Sequence, residues 1–388
     1  MSAAGKSALR AAVLLVVTLA GARVAQAYPQ WQLSTGATRC NQCHYAPAGG
    51  GLINNYGRDA AGEDLSTYGG NGAFLHGAVQ LPDWLALGAD VRGAFVDNDV
   101  QDPSGNTVAV FPMQADVYAR LALPLGFSLS ATGGFRDQVR DPNVLVPIQN
   151  YQPVDTSQLI SREHYLMWQP ETIGPYVRVG RFFAPFGLRL SEHILYIRRD
   201  LGFDLLQESY NVSGGFVYPE FELHLTLFAP DFVRHIGSNQ KGFAGYLERR
   251  LLNDQVALSA QFRLAAAPGV TRLTVGAFGK AYVESLKTLF MAELDGVNAS
   301  YDDAYQTTRQ QIVGMAGFTV LPAKGLMFTV LGERNQIDVA APTSWTAATF
   351  LFNVFPYAHF EFQFMERIEY PQGGQIANTV FIQLHYYL

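Results

Sequence analysis

Beyond Trp84 the chain alternates apolar and polar residues with a period of two. In "DQVALSAQFRLAAA", Val256, Leu258, Ala260, Phe262 and Leu264 share one face, and Gln255, Ser259, Gln261 and Arg263 share the other. In "EFELHLTLFAP", Phe221, Leu223, Leu225 and Leu227 oppose Glu220, Glu222, His224 and Thr226. "MQADVYARLAL" sets Val117, Ala119, Leu121 and Leu123 against Asp116, Tyr118 and Arg120, and "YAHFEFQFMERIEY" sets Ala358, Phe360, Phe362 and Phe364 against His359, Glu361, Gln363 and Arg367. Each stretch reads as a strand with one apolar and one polar face. A soluble β-sandwich also alternates. These runs, however, extend over ~10 residues or more, the length that carries a tilted strand across a bilayer, where soluble strands average ~5–6.

The connections alternate as well. Short turns, such as "LPLG" (Leu123–Gly126), "LPAKG" (Leu321–Gly325) and "FPY" (Phe355–Tyr357), are separated by longer polar stretches, among them Arg140 to Ile160 and Ala184 to Gln207. "KAYVESLK" (Lys280–Lys287) reads as a turn or a short helix. The count is about sixteen strands, with fourteen or eighteen within the error of boundaries read this way, and an even number suits a closed single-chain barrel. The fold expected is therefore all-β: a transmembrane antiparallel β-barrel over residues 84–388.

Composition narrows the setting. Charged residues make up 15%, aromatic residues 13%, and the net charge is −6. No apolar run after the first 27 residues reaches the ~18 of a membrane helix. A chain that is aromatic-rich, weakly charged and without such a helix fits an outer-membrane barrel, and its negative charge argues against nucleic acid as a partner. The opening residues agree. Lys6 and Arg10 precede the apolar run "AAVLLVVTLAGA", and Ala25 and Ala27 form a small-x-small pattern. Residues 1–27 are expected to be a cleaved signal peptide, the apolar run being shorter than the ~20 residues a spanning anchor needs.

The candidate chemistry lies in residues 28–83. Both cysteines of the chain stand in "CNQCH", with His44 directly after Cys43. A disulfide framework would spread its cysteines, a zinc site would need two more ligands nearby, and a thioredoxin-type site would need a βαβ setting. Cys-x-x-Cys-His is the attachment pattern of c-type haem: the thiols of Cys40 and Cys43 bond the porphyrin, and His44 takes one axial position on iron. "PAGGG" (Pro47–Gly51) would let backbone approach the porphyrin face, or is simply a flexible loop.

"CNQCH" followed by "PAGGG" and "NNYGR", with the alternating strands behind them and "NTVFIQLHYYL" at the end, resembles the porin-like bacterial outer-membrane proteins that carry an N-terminal single-haem c-type cytochrome segment. In the last stretch Val380, Ile382, Leu384, Tyr386 and Leu388 share a face, similar to the terminal insertion strand of outer-membrane barrels, although Leu388 stands where Phe is usual. The resemblance implies one covalent haem c, in a small periplasmic segment ahead of the barrel.

The second iron ligand is open. The segment has no Met; His76 is its other histidine, and the α-amine of Tyr28 is a candidate because "YPQW" ahead of a Cys-x-x-Cys-His looks like the start of mature cytochrome f. A five-coordinate haem is the remaining possibility. With no substrate pocket implied, the expectation is electron transfer rather than an enzyme. Its partners would be outer-membrane lipid, periplasmic or surface redox proteins, and possible small hydrophilic solutes. The competing reading is a diffusion porin whose haem segment is a plug, sensor or structural element; a haem peroxidase or gas binder would need an open iron position. Candidate lumen-facing charges have mixed sign: Asp90, Arg92, Asp116, Arg120, Arg136, Arg178, Glu222, Arg263, Glu361 and Arg367. The stretch Ala184–Gln207 is expected as an exposed outer loop, with an inward constriction as the alternative.

Overall fold

The structure, a computed structural model, describes residues 32–33, 37–99, 107–135, 159–203, 207–230, 240–302, 305, 307–341 and 343–388. The expected signal peptide, Tyr28 and Arg136 lie outside the described residues. Sixteen strands, β1 (Leu85–Asn98) to β16 (Ala377–Tyr387), pair antiparallel, each with its sequence neighbour. β1 pairs with β16, Asp90 opposite Tyr387 through Asn98 opposite Thr379, and closes the barrel. Closure leaves no edge strand, so the backbone polar groups of the wall pair from strand to strand rather than with water.

The period-2 pattern decides which way each strand faces. Along β9 (Val256–Ala267), Leu258, Phe262 and Leu264 are exposed on the outer surface, while Ser259, Gln261 and Arg263 are buried inside. β7 (Phe221–Ala229) likewise turns Leu225 and Leu227 outward and Glu222, His224 and Thr226 inward. An apolar exterior is what a bilayer-spanning wall requires. Of the candidate lumen charges, Asp90, Asp116, Arg178, Glu222, Arg263, Glu361 and Arg367 are buried inside, and Arg92 and Arg120 are half-buried.

The two ends of the barrel differ. One carries short turns, including Pro124–Gly126, and the turn at residues 284–286 is a single 3₁₀ turn between β10 (Val270–Val283) and β11 (Thr288–Tyr301). The terminal residue belongs to this turn end too: Leu388 exchanges backbone hydrogen bonds with Ala89 (2.8 and 3.4 Å). It is buried, whereas Leu384 of the same alternating face is exposed.

The interior is filled from both ends. The sequence treats residues 28–83 as a unit ahead of the barrel; the described part instead packs into the barrel's turn end. The Thr67 amide donates to Phe355 O (2.8 Å), Tyr68 to Pro356 O (3.0 Å), and Ala358 back to Gly69 O (3.0 Å). Arg250, at the end of β8 (Lys241–Leu251), donates from Nε to Thr38 O (2.8 Å). Asn41 Nδ2 donates to Thr172 O (2.6 Å), and Arg58 donates to the Leu87 carbonyl. Leu65 is fully buried against Met327 and Phe355.

The connection from β5 (Gly174–Phe182) to β6 (Ser209–Val217) enters from the other end. The sequence expects an exposed loop there. Phe183, Phe186, Leu188, Leu190, Leu195, Tyr196 and Phe203 are instead buried inside the barrel, against Met291, Met315, Leu331 and Met365 of the inner wall. Burying an aliphatic or aromatic side chain contributes roughly 1.5–3 kcal/mol, so these seven offset part of the cost of ordering the segment, and its hydrogen bonds to the wall add to them. The inner wall on this side sets apolar residues among buried charges, which gives the loop both a surface to pack on and acceptors for its amides.

Candidate functional site

Where the plug from one end meets the loop from the other, a cavity of about 340 Å³ remains. Cys40, His44, Gly49, Leu52 and Ile53 line it from the plug; Phe183, Phe186, Leu188 and Arg189 from the loop; and Asp90, Arg92, Tyr118, Arg162, Lys280, His385 and Tyr387 from the wall.

The Cys40–His44 turn is built locally. Residues Cys40–Gln42 form one 3₁₀ turn, and the His44 amide donates to Cys40 O (3.0 Å). Gln42 Oε1 accepts from the backbone amides of Thr38 (2.6 Å) and Arg39 (2.9 Å), which fixes the entry to the turn. Asn54 fixes the exit. Its side chain caps the helix Asn55–Asp59 by accepting from Gly57 N (3.0 Å), and its Nδ2 donates to Gln42 O (3.0 Å), Asn41 O and His44 O (both 3.3 Å). One side chain thus serves a helix N-terminus and three turn carbonyls, satisfying groups that burial would otherwise leave costly.

Two glycines allow the packing. Gly49 has φ +75°, and a Cβ there would lie 3.1 Å from Cys40 Cβ and 3.7 Å from His44 Cδ2. A Cβ on Gly57 would meet Cys43 O at 2.5 Å. Cys40 and Cys43 are not bonded to each other. Burial, with the Glu222 carboxylate second, pushes the Cys40 thiol up to about 12; burial, with Cys40 second, does the same for Cys43. Cys40 Sγ accepts from Gln32 Nε2 (3.1 Å), and Gln32 Oε1 accepts from Lys280 Nζ (2.5 Å).

His76 sits elsewhere. It lies in the exposed turn Phe74–Gly77, where its Nε2 meets Tyr386 Oη (3.1 Å) and its ring packs edge-on to His359 (5.1 Å between centroids). It does not line the cavity that Cys40 and His44 share. Tyr28 lies outside the described residues. Among the described residues, no three His, Cys, Asp or Glu side chains are grouped to hold a metal ion on their own. The sequence reading gave no role to Gln32 or Lys280; it had Asn54 only as part of "NNYGR" and Arg189 only within the stretch Ala184–Gln207, whose alternative was an inward constriction. One signal was available for the loop: "RFFAPFGLRLSEHILYI" is too apolar for a stretch that faces water.

No protein-family model matches the chain, and no curated protein matches it. Solved structures do. Outer-membrane OmpT of Vibrio cholerae aligns at 11% identity over 80% of this chain and 100% of its own, with a TM-score of 0.58. Pseudomonas putida OprB aligns at 9% identity over 78% of this chain and 94% of its own, with a TM-score of 0.60. An anion-selective porin from Comamonas acidovorans aligns at 10% identity over 78% and 99%, with a TM-score of 0.55. At these identities the likeness is one of fold: the chain has the sixteen-strand fold of outer-membrane porins.

Proposed function

We propose that the protein is a bacterial outer-membrane electron-transfer barrel that holds one covalent c-type haem inside its lumen, on the periplasmic side. Cys40 and Cys43 would carry the thioether bonds and His44 would ligate iron. The observation that carries this reading is the shared cavity: Cys40 and His44 open onto one space, and Gly49 removes the side chain that would crowd both. The donor set fits the group, two thiols and an imidazole in one turn held by Asn54 and Gln42. When bound, the haem supplies one-electron Fe(III)/Fe(II) chemistry.

The chain's own residues do the rest. Plug contacts with Phe355, Arg250 and Thr172 hold the turn within the barrel, while Phe183 and Phe186 of the inward loop cover the cavity towards the opposite end. A redox centre in the lumen has less of the ~25–30 Å membrane to cross than one on a periplasmic rim. Redox proteins of the periplasm or cell surface would be the partners, and no catalysis is assigned.

The second reading is a diffusion porin, favoured by the fold shared with an anion-selective porin. Small hydrophilic solutes would then be its cargo, and the plug a gate or a structural element. Against it stands a lumen filled from both ends.

The test is direct. Protein made with haem-attachment machinery should fractionate with outer membranes and keep a haem stain through denaturing electrophoresis. Cys40→Ser with Cys43→Ser should remove the stain. Unstained wild-type protein that conducts ions freely in planar bilayers would reverse the choice.

A further inference from the structure

Arg189 is held in an uncommon conformation beside the cavity. Its φ is +49°, a left-handed geometry that costs a non-glycine residue ~1–2 kcal/mol and persists only where surroundings enforce it. The enforcement is visible on both sides. The Gly187 amide donates to Gln261 Oε1 (2.9 Å), the Leu188 amide to Glu293 Oε2 (2.8 Å), and Leu190 is fully buried. The side chain then reaches the plug: Nη1 donates to Ala48 O (3.0 Å), and Nη2 lies 3.3 Å from where a Cβ on Gly50 would stand.

Arg189 differs from Arg92, Arg162 and Lys280, which line the same cavity. Arg92 has Asp90 at 2.9 Å, Arg162 has Asp116 at 3.1 Å and Glu208 at 3.2 Å, and Lys280 has Glu248 at 2.9 Å. Among the described residues, Arg189 has no carboxylate within 4.0 Å and its one hydrogen bond is to a neutral carbonyl; Glu163, which lines the same cavity beside Gly51 and pairs with Arg178 at 3.8 Å, acts on it only from farther away. A guanidinium in low-dielectric surroundings is costly without an anion, and its planar fork matches a carboxylate in bidentate fashion.

We infer that Arg189, with the Ala48–Gly50 backbone, forms a carboxylate-binding corner whose occupant is a propionate of the haem. This rests on the haem reading above, because Cys40, His44, Gly49, Gly50 and Arg189 line one cavity. A free dicarboxylate entering the lumen would offer the same chemistry, so the test separates the two sources.

The experiment is spectroelectrochemical titration of the full-length, detergent-purified protein carrying covalent haem. Arg189→Gln removes the cation that offsets the propionate charge; its midpoint potential should fall below wild type and vary with pH as the propionate titrates. Arg189→Lys keeps the charge and should stay near wild type. An Arg189→Gln potential equal to wild type at every pH, with the haem spectrum intact, overturns the inference. If Arg189→Gln does not accumulate, the unmodified protein decides: a propionate paired with Arg189 stays ionised across about pH 5–7, so the infrared carboxyl band of a protonated propionate should be missing there. Its appearance in that range overturns the pairing. Added succinate should leave the wild-type potential unchanged; an Arg189-dependent response would assign the corner to a free solute instead. Wild-type protein without haem would fail the proposed function itself, whereas haem-loaded protein indifferent to Arg189 fails only this inference.

Discussion

The main-chain amide of Asn54 donates to the carbonyl of Cys43 at 2.8 Å, and the Asn54 side chain spans the rest of the same turn. The geometry of Cys40, Cys43 and His44 therefore depends on a residue ten positions beyond the histidine. Asn54→Ala removes a helix cap worth ~1 kcal/mol and strips donors from buried carbonyls, at ~1–3 kcal/mol more. The expected outcome is a several-fold lower fraction of chains carrying haem stain, with barrel folding intact by heat-modifiable migration. Asn54→Asp keeps the cap but loses the donors and should fall between. Full staining of Asn54→Ala would show that the turn keeps its geometry without the Asn54 side chain.

The cysteines should be inert in folded protein that lacks haem. Burial pushes both thiols up to about 12 from an ordinary value of 9.0. Three units lower the thiolate fraction about a thousand-fold near pH 8. Protein made without attachment machinery should resist iodoacetamide at pH 8 and react when unfolded, as mass spectrometry would read. Equal rates in folded and unfolded chains would contradict the buried placement of the turn.

The lumen should conduct poorly. Plug and loop occupy it together, so single-channel conductance should lie far below that of open sixteen-strand porins. Removing residues 28–83 should raise it only in part, because Phe183–Phe203 remains inside. Glu333→Ala, which takes the acceptor from the Tyr196 amide (2.6 Å) and the partner from Arg367, should loosen the loop and raise conductance further. Losing a hydrogen bond to a charged group costs ~1.5–3 kcal/mol. Wild-type conductance matching an open porin would show that the interior is not closed.

Acid should loosen the plug at one turn. His359, fully buried beside Gly70 and Ala358 contacts of the plug, has its pKa lowered to about 4, by burial first and by His76 second. The unfolded imidazole takes its proton near 6.5 and the folded one does not. The stabilisation from neutral His359 is thus present above about pH 6.5 and is lost as pH falls towards 4, up to roughly 3 kcal/mol. Protease accessibility of residues 66–76 should rise over that interval, and His359→Gln should flatten the dependence. An unchanged pH profile in His359→Gln would place the sensitivity elsewhere.

His76→Ala should leave the haem spectrum unaltered. His76 is engaged with Tyr386 at the mouth and does not share the cavity with His44. A shift to high spin on that substitution would mean that the turn Phe74–Gly77 moves onto the iron when haem is bound.

The sequence by itself determined the barrel. Alternation in segments such as Val256–Ala267 and Phe221–Ala229 is local information: a residue's parity along its strand sets whether it meets lipid or lumen, and turn chemistry sets where each strand ends. The spacing of Cys40, Cys43 and His44 is local in the same way, five consecutive residues that the structure folds into one turn, while the haem proposed for them awaits the staining experiment. What fills the barrel was decided only by tertiary structure. Whether Phe183, Phe186 and Leu190 face water or pack inward depends on Met291, Met315 and Leu331, apolar residues on the lumen face of strands about a hundred residues or more away in sequence. Likewise the plug is held by Phe355, Arg250 and Thr172, and Arg189 acquires its meaning only where the loop meets Ala48. Those contacts join segments that share no period and no spacing. Closure of the barrel brings them to one place, because a sealed wall leaves the lumen as the space where the inward apolar surface and the buried charges can be covered together.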